Sequence, residues 1–128
     1  KVKRIMKKTE MLKKNYEYRR VLSKGKYYSG QFIEAFIKKN NQKQKNFLGI
    51  AIGVKIAKAT KRNHIKRLIR ENYKNYEENI TSGNTIVFLW KKKIDIKNAT
   101  YKNISQDMKR IFDKSKLFVE ENKWKNYL

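Results

Sequence analysis

The sequence predicts an α+β protein, a two-layer sandwich in which helices pack on one small, mainly antiparallel central sheet. Two patterns lead to this fold class. Apolar residues recur at helical spacing near residues 9–24, 59–76 and 99–114, and β-branched and aromatic runs lie between these segments. Hydrophobic residues make up 39% of the 128 residues, which suits one modest core. We therefore expect a single domain over residues 1–128.

The first predicted element is a helix over Thr9–Lys24. Tyr18, Val21 and Leu22 share one side of this helix at 100° per residue. Gly25 directly follows a lysine, a pattern typical of a helix C-terminus. The segment thus predicts an amphipathic helix with one side on the sheet.

Two predicted strands follow, Gln31–Lys38 and Phe47–Val54, joined by a short polar loop. One face of the second strand carries the small residues Gly49, Ala51 and Gly53. Small residues let a neighbouring helix approach the strand backbone closely. The short connection predicts that the two strands form an antiparallel hairpin.

The second half of the chain predicts a helix, a strand and a helix. The helix Ala59–Tyr76 has the clearest apolar stripe, and the run Thr85–Trp90 is apolar on both faces, which indicates a central strand. Ala99–Lys114 is the last predicted helix. The predicted core covers about residues 9–117, with residues 118–128 as a tail.

The charge balance indicates a polyanionic partner. Lysine and arginine number 34 against 11 acids, a formal net charge of +23. Nucleic acid is the expected partner, because each phosphate contact releases counterions. A transmembrane span would need about 20 apolar residues, and the sequence has no such run and no secretion signal. Cysteine is absent and histidine occurs once, which excludes disulfides and multi-histidine metal sites. We expect a cytoplasmic protein without a membrane partner.

The segment Lys61–Glu71, K-R-N-H-I-K-R-L-I-R-E, combines these signals. On a helix, six polar side chains of this segment and the turn after it fall within an arc of roughly 140°: Arg62, Asn63, Lys66, Arg67, Arg70 and Lys74. Arginine grips two phosphate oxygens or stacks on an unpaired base, and an asparagine amide can bond a base edge. The alternative is an ordinary solvated helix face, but such a face usually alternates the sign of its charges.

This segment resembles the basic signature of the bacterial ribonuclease P protein subunit, read R-N-R-x-K-R-x-x-R. Five residues match in register: Arg62, Asn63, Lys66, Arg67 and Arg70. The flanks also resemble the family. L-K-K-N at 12–15 is similar to its first helix, and L-G-I-A-I-G-V-K-I at 48–56 and T-I-V-F-L at 85–89 are similar to the strands around the signature helix.

The sequence departs from the family pattern at a few positions. His64 replaces the second arginine of the signature, and we expect it to be a partly exposed polar helix residue rather than a catalytic one. Ala57 and Lys58 replace a Gly-Asn pair before the signature helix, and Trp90 stands where the family often carries an arginine. Glu34 lies where the family is usually apolar; it could repel phosphate, help hold magnesium or lie at a solvated rim, and we favour the rim.

The resemblance implies a function in which the RNA subunit is the catalyst and the protein assists. The implied RNA-binding residues are Lys55, Lys58, Lys61, Arg62, Asn63, His64, Lys66, Arg67 and Arg70. The implied cleft for the single-stranded 5′ leader of precursor tRNA lies between the first helix and the sheet, at Tyr18, Leu22 and Phe36. These three residues are equally consistent with an ordinary apolar core.

The same resemblance implies an αβββαβα topology with a left-handed βαβ crossover around the signature helix. It implies two partners, ribonuclease P RNA and precursor tRNA, with the protein as a monomer in a one-to-one complex with RNA. The protein is expected to hold no catalytic residue, metal or cofactor by itself. Magnesium is expected in the holoenzyme, held mainly by RNA, and the activity is endonucleolytic removal of the leader.

Other functions account for part of the pattern. A general or ribosomal-type RNA-binding protein shares the charge but needs no leader cleft. A DNA-binding module would place the helix after Thr60 in a major groove, but two strands, not a compact helical unit, precede that helix. Association with an anionic membrane surface is the fourth alternative.

Overall fold

The computed structural model describes residues 5–119. Its strands and helices, in chain order, are β1 (Thr9–Met11), α1 (Asn15–Lys24), β2 (Lys26–Ser29), β3 (Ile33–Lys39), β4 (Asn46–Ala51), α2 (Ala59–Tyr76), β5 (Asn84–Trp90) and α3 (Tyr101–Ser115). Short 3-10 turns follow α2 and precede α3, at Glu77–Asn79 and Ile96–Asn98. The predicted α+β class is confirmed. Most of the predicted tail, from residue 120 onward, lies outside the described residues.

The sheet is mixed and has five strands in the order β1-β4-β5-β3-β2. β5 lies at its centre, as predicted. It runs parallel to β4 and antiparallel to β3. At the two edges, β1 pairs in parallel with β4, and β2 pairs antiparallel with β3. Two of the four pairings are therefore antiparallel. Helix α2 connects the neighbouring parallel strands β4 and β5, which forms a βαβ unit.

The predicted hairpin between the strands now called β3 and β4 is wrong, because β5 lies between them. Six of the seven residues of β5 are buried. A strand that is apolar on both faces loses most contact with water in the middle of a sheet, so β5 takes the central position. The polar loop 40–45 then carries the chain past β5 rather than around a tight turn.

The predicted start of the first helix at Thr9 is also wrong. Thr9–Met11 is strand β1, in register with Asn46 to Leu48 of β4, and the helix begins only at Asn15. The Thr9 hydroxyl lies 2.7 Å from the Tyr73 hydroxyl in a buried hydrogen bond. Backbone pairing with a distant strand thus outweighs the local preference for a helix in this segment, although the segment carries no helix-breaking residue.

The remaining differences concern strand ends and one additional strand. β2, which precedes β3, is not identified by the apolar pattern, and the burial of its residues does not alternate. β3 begins at Ile33 rather than Gln31, and α3 begins at Tyr101 rather than Ala99. β4 ends at Ala51, so the predicted strand residue Val54 lies in an exposed turn.

The core lies on both sides of the sheet. The larger side packs α2 and α3 against the sheet, with buried side chains such as Leu48, Phe88 and Phe112. The smaller side lies between α1 and the sheet, where Leu12, Val21 and Val87 are buried. The fold thereby supports two separate surfaces, the outer side of α2 and the partly covered sheet face beside α1.

Candidate nucleic-acid interface

Helix α2 has one side anchored in the core. Ile65, Ile69 and Tyr73 are at most 2% exposed, and Asn72 is fully buried. The Asn72 side-chain amide donates to the backbone oxygens of Leu68 and Tyr101, which ties α2 to the start of α3. The predicted bounds of this helix are confirmed. This packing fixes the direction in which the opposite side of α2 presents its charges.

The basic side of α2 faces away from the core. Arg67 and Asn63 are exposed, and Arg62, Lys66 and Arg70 are half-buried. Four ion pairs form within residues 5–119, and none of them involves these four cations. Packing like charges on one side of a helix costs free energy. Binding a polyanion would remove this repulsion.

The acids near the C-terminal half of α2 do not neutralise its arginines. Glu71 pairs with Lys74 at 3.2 Å, and Glu78 pairs with Lys7 at 3.4 Å. Both pairs are partly exposed, so each contributes little to stability. Glu77 is buried and accepts the backbone N–H of Lys7 at 2.8 Å. Its carboxylate fixes the N-terminal segment rather than the basic side of α2.

Three more of the predicted RNA-binding lysines, all exposed, lie in the turn before α2 and in its first turn: Lys55, Lys58 and Lys61. Arg62 donates from Nη1 to the backbone oxygen of Ala57 at 2.7 Å. One predicted RNA-binding arginine therefore also stabilises the turn where the chain departs from the Gly-Asn of the family. Its guanidinium retains further donors for a phosphate.

Two grooves border the basic side of α2. The first, about 530 Å³, is lined by Arg67, Arg70 and Lys74 together with Ile5 and Met6 of the N-terminal segment. The second, about 280 Å³, lies near the N-terminus of α2, and its lining includes Lys61, His64 and Lys97. His64 is exposed, as predicted for a polar helix residue.

The three predicted cleft residues lie together on the other surface. Tyr18 and Leu22 of α1 and Phe36 of β3 belong to one apolar cluster with Phe47 and Leu89. All five are half-buried. A residue of a closed core would be buried, so this face is an apolar surface that remains partly open. Half-exposed aromatic rings suit stacking by unpaired bases.

The small residues of β4 allow α1 to approach this face. A β-carbon added to Gly49 would lie 2.5 Å from Tyr18 Cε1 and 3.0 Å from Leu12 Cδ1. Such distances leave no room for a side chain. The close approach expected for the small-residue face of β4 is therefore present, and it determines where the Tyr18 ring lies.

Sequence reasoning missed the role of Tyr27 on this face. Its hydroxyl donates to Glu34 Oε2 at 2.6 Å, and its ring centroid lies 5.1 Å from that of Phe36. The hydrogen bond to Glu34 raises the pKa of Tyr27 above its ordinary value. A tyrosine is protonated at neutral pH even at its ordinary pKa of 10.0, so Tyr27 acts there as a hydrogen-bond donor. The two adjacent tyrosines in K-Y-Y-S were the only signal that a strand was present here.

A larger groove of about 1030 Å³ continues from Glu34 past the ends of β4 and β5. Its apolar lining includes Ile52, Leu89 and Trp90. The Trp90 indole donates from Nε1 to the backbone oxygen of Ile94 at 2.8 Å, which holds the loop after β5 against the groove. Trp90 itself is buried, so an apolar core side chain stands where the family often has a cation.

Within residues 5–119, no group of three or more histidine, cysteine, aspartate or glutamate side chains is arranged to hold a metal ion. Over the same range, none of the helices is both long and apolar enough to span a bilayer.

Comparisons with known proteins agree with this geometry. The Ribonuclease P family model matches residues 6–116. The ribonuclease P protein component of Clostridioides difficile is 32% identical to this chain, and the alignment covers 87% of this chain and 96% of that protein. The component of Fusobacterium nucleatum is 35% identical, and the alignment covers 83% of this chain and 96% of that protein.

Solved structures show the same architecture. The RNase P protein of Staphylococcus aureus superimposes with a TM-score of 0.74 at 27% identity, covering 85% of this chain and 97% of that chain. The protein from Thermotoga maritima, at 23% identity and a TM-score of 0.73, shares the fold. With its family match, its relatives and its fold in agreement, this chain belongs to the family of ribonuclease P protein components.

Proposed function

We propose that this chain binds the catalytic RNA of ribonuclease P through the basic side of α2 and holds the 5′ leader of precursor tRNA beside α1. Family membership supports a role in ribonuclease P and a partnership with its RNA. The observation that carries the first part is the basic side of α2, whose Arg62, Lys66, Arg67 and Arg70 have no carboxylate partner among the described residues.

The basic side of α2 suits a folded RNA better than a single phosphate. The helix advances about 1.5 Å per residue, so Arg62 and Arg70 are separated by about 12 Å along its axis. That distance covers several phosphates of an RNA strand. The exposed lysines of the preceding turn, Lys55 and Lys58, extend the same positive surface beyond the helix.

The cleft beside α1 suits an unpaired strand. Tyr18, Leu22 and Phe36 offer half-exposed apolar surface, and Arg20 and Lys38 line a groove at one end of the same face. Stacking of bases on aromatic rings tolerates any sequence, and cations beside the rings attract the phosphates. A leader of variable sequence needs this combination.

The protein would assist an RNA catalyst rather than cleave RNA itself. In this proposal the phosphodiester bond is hydrolysed by the RNA subunit with RNA-bound magnesium ions, as in metal-assisted hydrolysis generally. The protein contributes positive charge and substrate binding. One protein molecule would bind one RNA molecule.

Reconstitution with a bacterial ribonuclease P RNA tests both parts. At limiting magnesium, the protein should raise kcat/KM for a precursor tRNA with a leader of about ten nucleotides, and should do so far less for one with a single leader nucleotide. Equal stimulation of the two substrates would remove the leader cleft. Failure to form a complex with ribonuclease P RNA in preference to an unrelated RNA, at fixed salt, would remove the function itself.

A further inference from the structure

Glu34 is an acid on the apolar face where the leader is proposed to bind. It lies on β3 two residues from Phe36, opposite Leu89 of β5 and Ser29 of β2 in the sheet register. It is half-buried. An acid beside bound RNA would repel phosphates, so its presence in a chain of net charge +23 needs a specific reason.

Tyr27 fixes the orientation of the Glu34 carboxylate. The tyrosine hydroxyl donates to Oε2, while its ring packs on Phe36. Across residues 5–119, the Tyr27 hydroxyl is the only donor to Glu34, and no cation lies within 4.0 Å of its oxygens. Oε1 and part of Oε2 therefore remain free to accept hydrogen bonds from a ligand.

The surroundings of Glu34 match the parts of a nucleotide. The groove of about 1030 Å³ that it lines has an apolar wall formed by residues such as Val54, Ile56 and Leu89, and its rim carries Lys92 and Lys93 as well as Asp95. A base would lie against the apolar wall with its edge toward the carboxylate. Its phosphates would lie near the lysines at the rim, away from the negative charge.

We propose that Glu34, oriented by Tyr27, is a specificity-determining residue that selects guanine at one position of the leader. This inference rests on the proposed function. An ionised carboxylate only accepts hydrogen bonds, and unpaired bases are read on their Watson–Crick edges. Guanine presents two adjacent donors there, N1–H and N2–H, so it can bind both carboxylate oxygens.

The other bases fit a carboxylate less well. Adenine and cytosine place a ring-nitrogen acceptor beside their amino donor, and uracil places carbonyl oxygens on both sides of its single N3–H. Each would set an acceptor against a carboxylate oxygen. A good bidentate pair discriminates against a wrong base by about 1–3 kcal/mol, which corresponds to roughly 5- to 150-fold in selectivity.

The test uses the reconstituted holoenzyme and a pool of precursor tRNAs with a randomised leader. Sequencing of substrate and product over time gives the relative kcat/KM of each leader. For the unaltered protein we expect roughly tenfold enrichment of guanine at one leader position. Glu34→Gln should abolish this preference, and Tyr27→Phe, which keeps the ring on Phe36, should reduce it. Asp113→Asn, which removes an equal charge from the exposed end of α3, should leave it unchanged.

Three results would overturn the inference. They are the absence of a guanine preference in the unaltered protein, an unchanged preference in Glu34→Gln, and an equal loss in Asp113→Asn. In each case stimulation that still depends on leader length would leave the proposed function intact. If the unaltered protein shows no dependence on leader length, the leader cleft fails and the inference fails with it. Unchanged circular dichroism and RNA affinity of Glu34→Gln would verify that this variant is folded.

Discussion

The carboxylate of Asp107 occupies the space into which a side chain on Gly30 would have to project. A β-carbon on Gly30 would lie 2.6 Å from Asp107 Cγ. Asp107 is 1% exposed, and its oxygens accept the backbone N–H groups of Gln31, Phe32 and Ile33 at 2.6–2.9 Å. One acid of α3 thus satisfies three backbone donors where the chain turns from β2 into β3.

We predict that Asp107→Ala lowers the free energy of unfolding by roughly 3 kcal/mol, because buried backbone donors lose their acceptor. Asp107→Asn should lower the free energy of unfolding by less, since the asparagine side chain retains one acceptor oxygen. Urea unfolding followed by circular dichroism measures both. Asp113→Asn, on the exposed side of the same helix, is the matched control and should change stability by less than about 0.5 kcal/mol. Equal effects at the two positions would contradict the role of Asp107.

Gly30→Ala tests the same contact from the other side. The added methyl group must displace the Asp107 carboxylate, so we expect a loss of about 1–3 kcal/mol, typical of overpacking. The double variant Gly30→Ala/Asp107→Ala should lose less than the sum of the two single losses, because the methyl group no longer meets a carboxylate. Strict additivity would show that the two residues do not interact.

Gly49→Ala should disturb the cleft while leaving the basic side of α2 intact. The new β-carbon would lie 2.5 Å from the Tyr18 ring, so the ring or α1 must shift. We expect a stability loss of about 1–3 kcal/mol and a higher KM for precursor tRNA with a long leader. Binding to ribonuclease P RNA alone, measured by filter retention, should change little. A large loss of RNA affinity with an unchanged KM would contradict the separation of the two surfaces.

Lys66→Ala/Arg67→Ala should weaken binding to ribonuclease P RNA and make it less dependent on salt. If each side chain contacts one phosphate, the slope of log K against log salt should fall in magnitude by about two. The control Lys102→Ala/Lys109→Ala removes the same charge from exposed positions on α3. The thermal unfolding midpoint should remain nearly unchanged in both. Identical salt slopes for the two double variants would exclude a special role for α2.

Tyr73 should make stability fall in alkaline solution. Burial raises the pKa of Tyr73 to about 12, above its ordinary value of 10.0. Between these values the unfolded chain loses the tyrosine proton and the folded chain keeps it, so unfolding becomes more favourable as pH rises. The contribution of the protonated Tyr73 to the free energy of unfolding is complete below about pH 10 and is lost progressively toward pH 12. Over this range we expect a loss of at most about 3 kcal/mol.

Comparison with Tyr73→Phe isolates this effect from the titration of the other tyrosines and lysines. The variant lacks the hydrogen bond to Thr9 and should be less stable at neutral pH by about 1 kcal/mol. Its free energy of unfolding should fall less steeply above pH 10, as measured by urea titration at several pH values. Parallel curves for the two proteins would show that Tyr73 titrates alike in the folded and unfolded states.

Much of the candidate interface could be predicted from the sequence. The bounds of α2 and the division between its buried and basic sides follow from helical periodicity, which depends on neighbouring residues alone. The central position of β5 and the small-residue face of β4 follow in the same way from composition and alternation. Tyr18, Leu22 and Phe36 were named through the resemblance to a family, and the structure brings them into one cluster.

The order of the strands could not be predicted in this way. The insertion of β5 between β3 and β4, and the pairing of Thr9 with Asn46, join segments that are 35 or more residues apart. Backbone hydrogen bonds form these pairs, and every residue except proline carries the same backbone donors and acceptors. Periodicity therefore indicates that a strand exists but not which strand will lie beside it.

By itself the sequence determined a strongly basic α+β protein with a helix whose one side is apolar and whose other side is cationic. Only the tertiary structure decided that Asp107 serves the backbone donors of a turn some 75 residues earlier, and that Tyr27 orients Glu34. The physical reason is that periodicity is a local property. The environment of a single polar side chain depends on distant parts of the chain that folding brings to it.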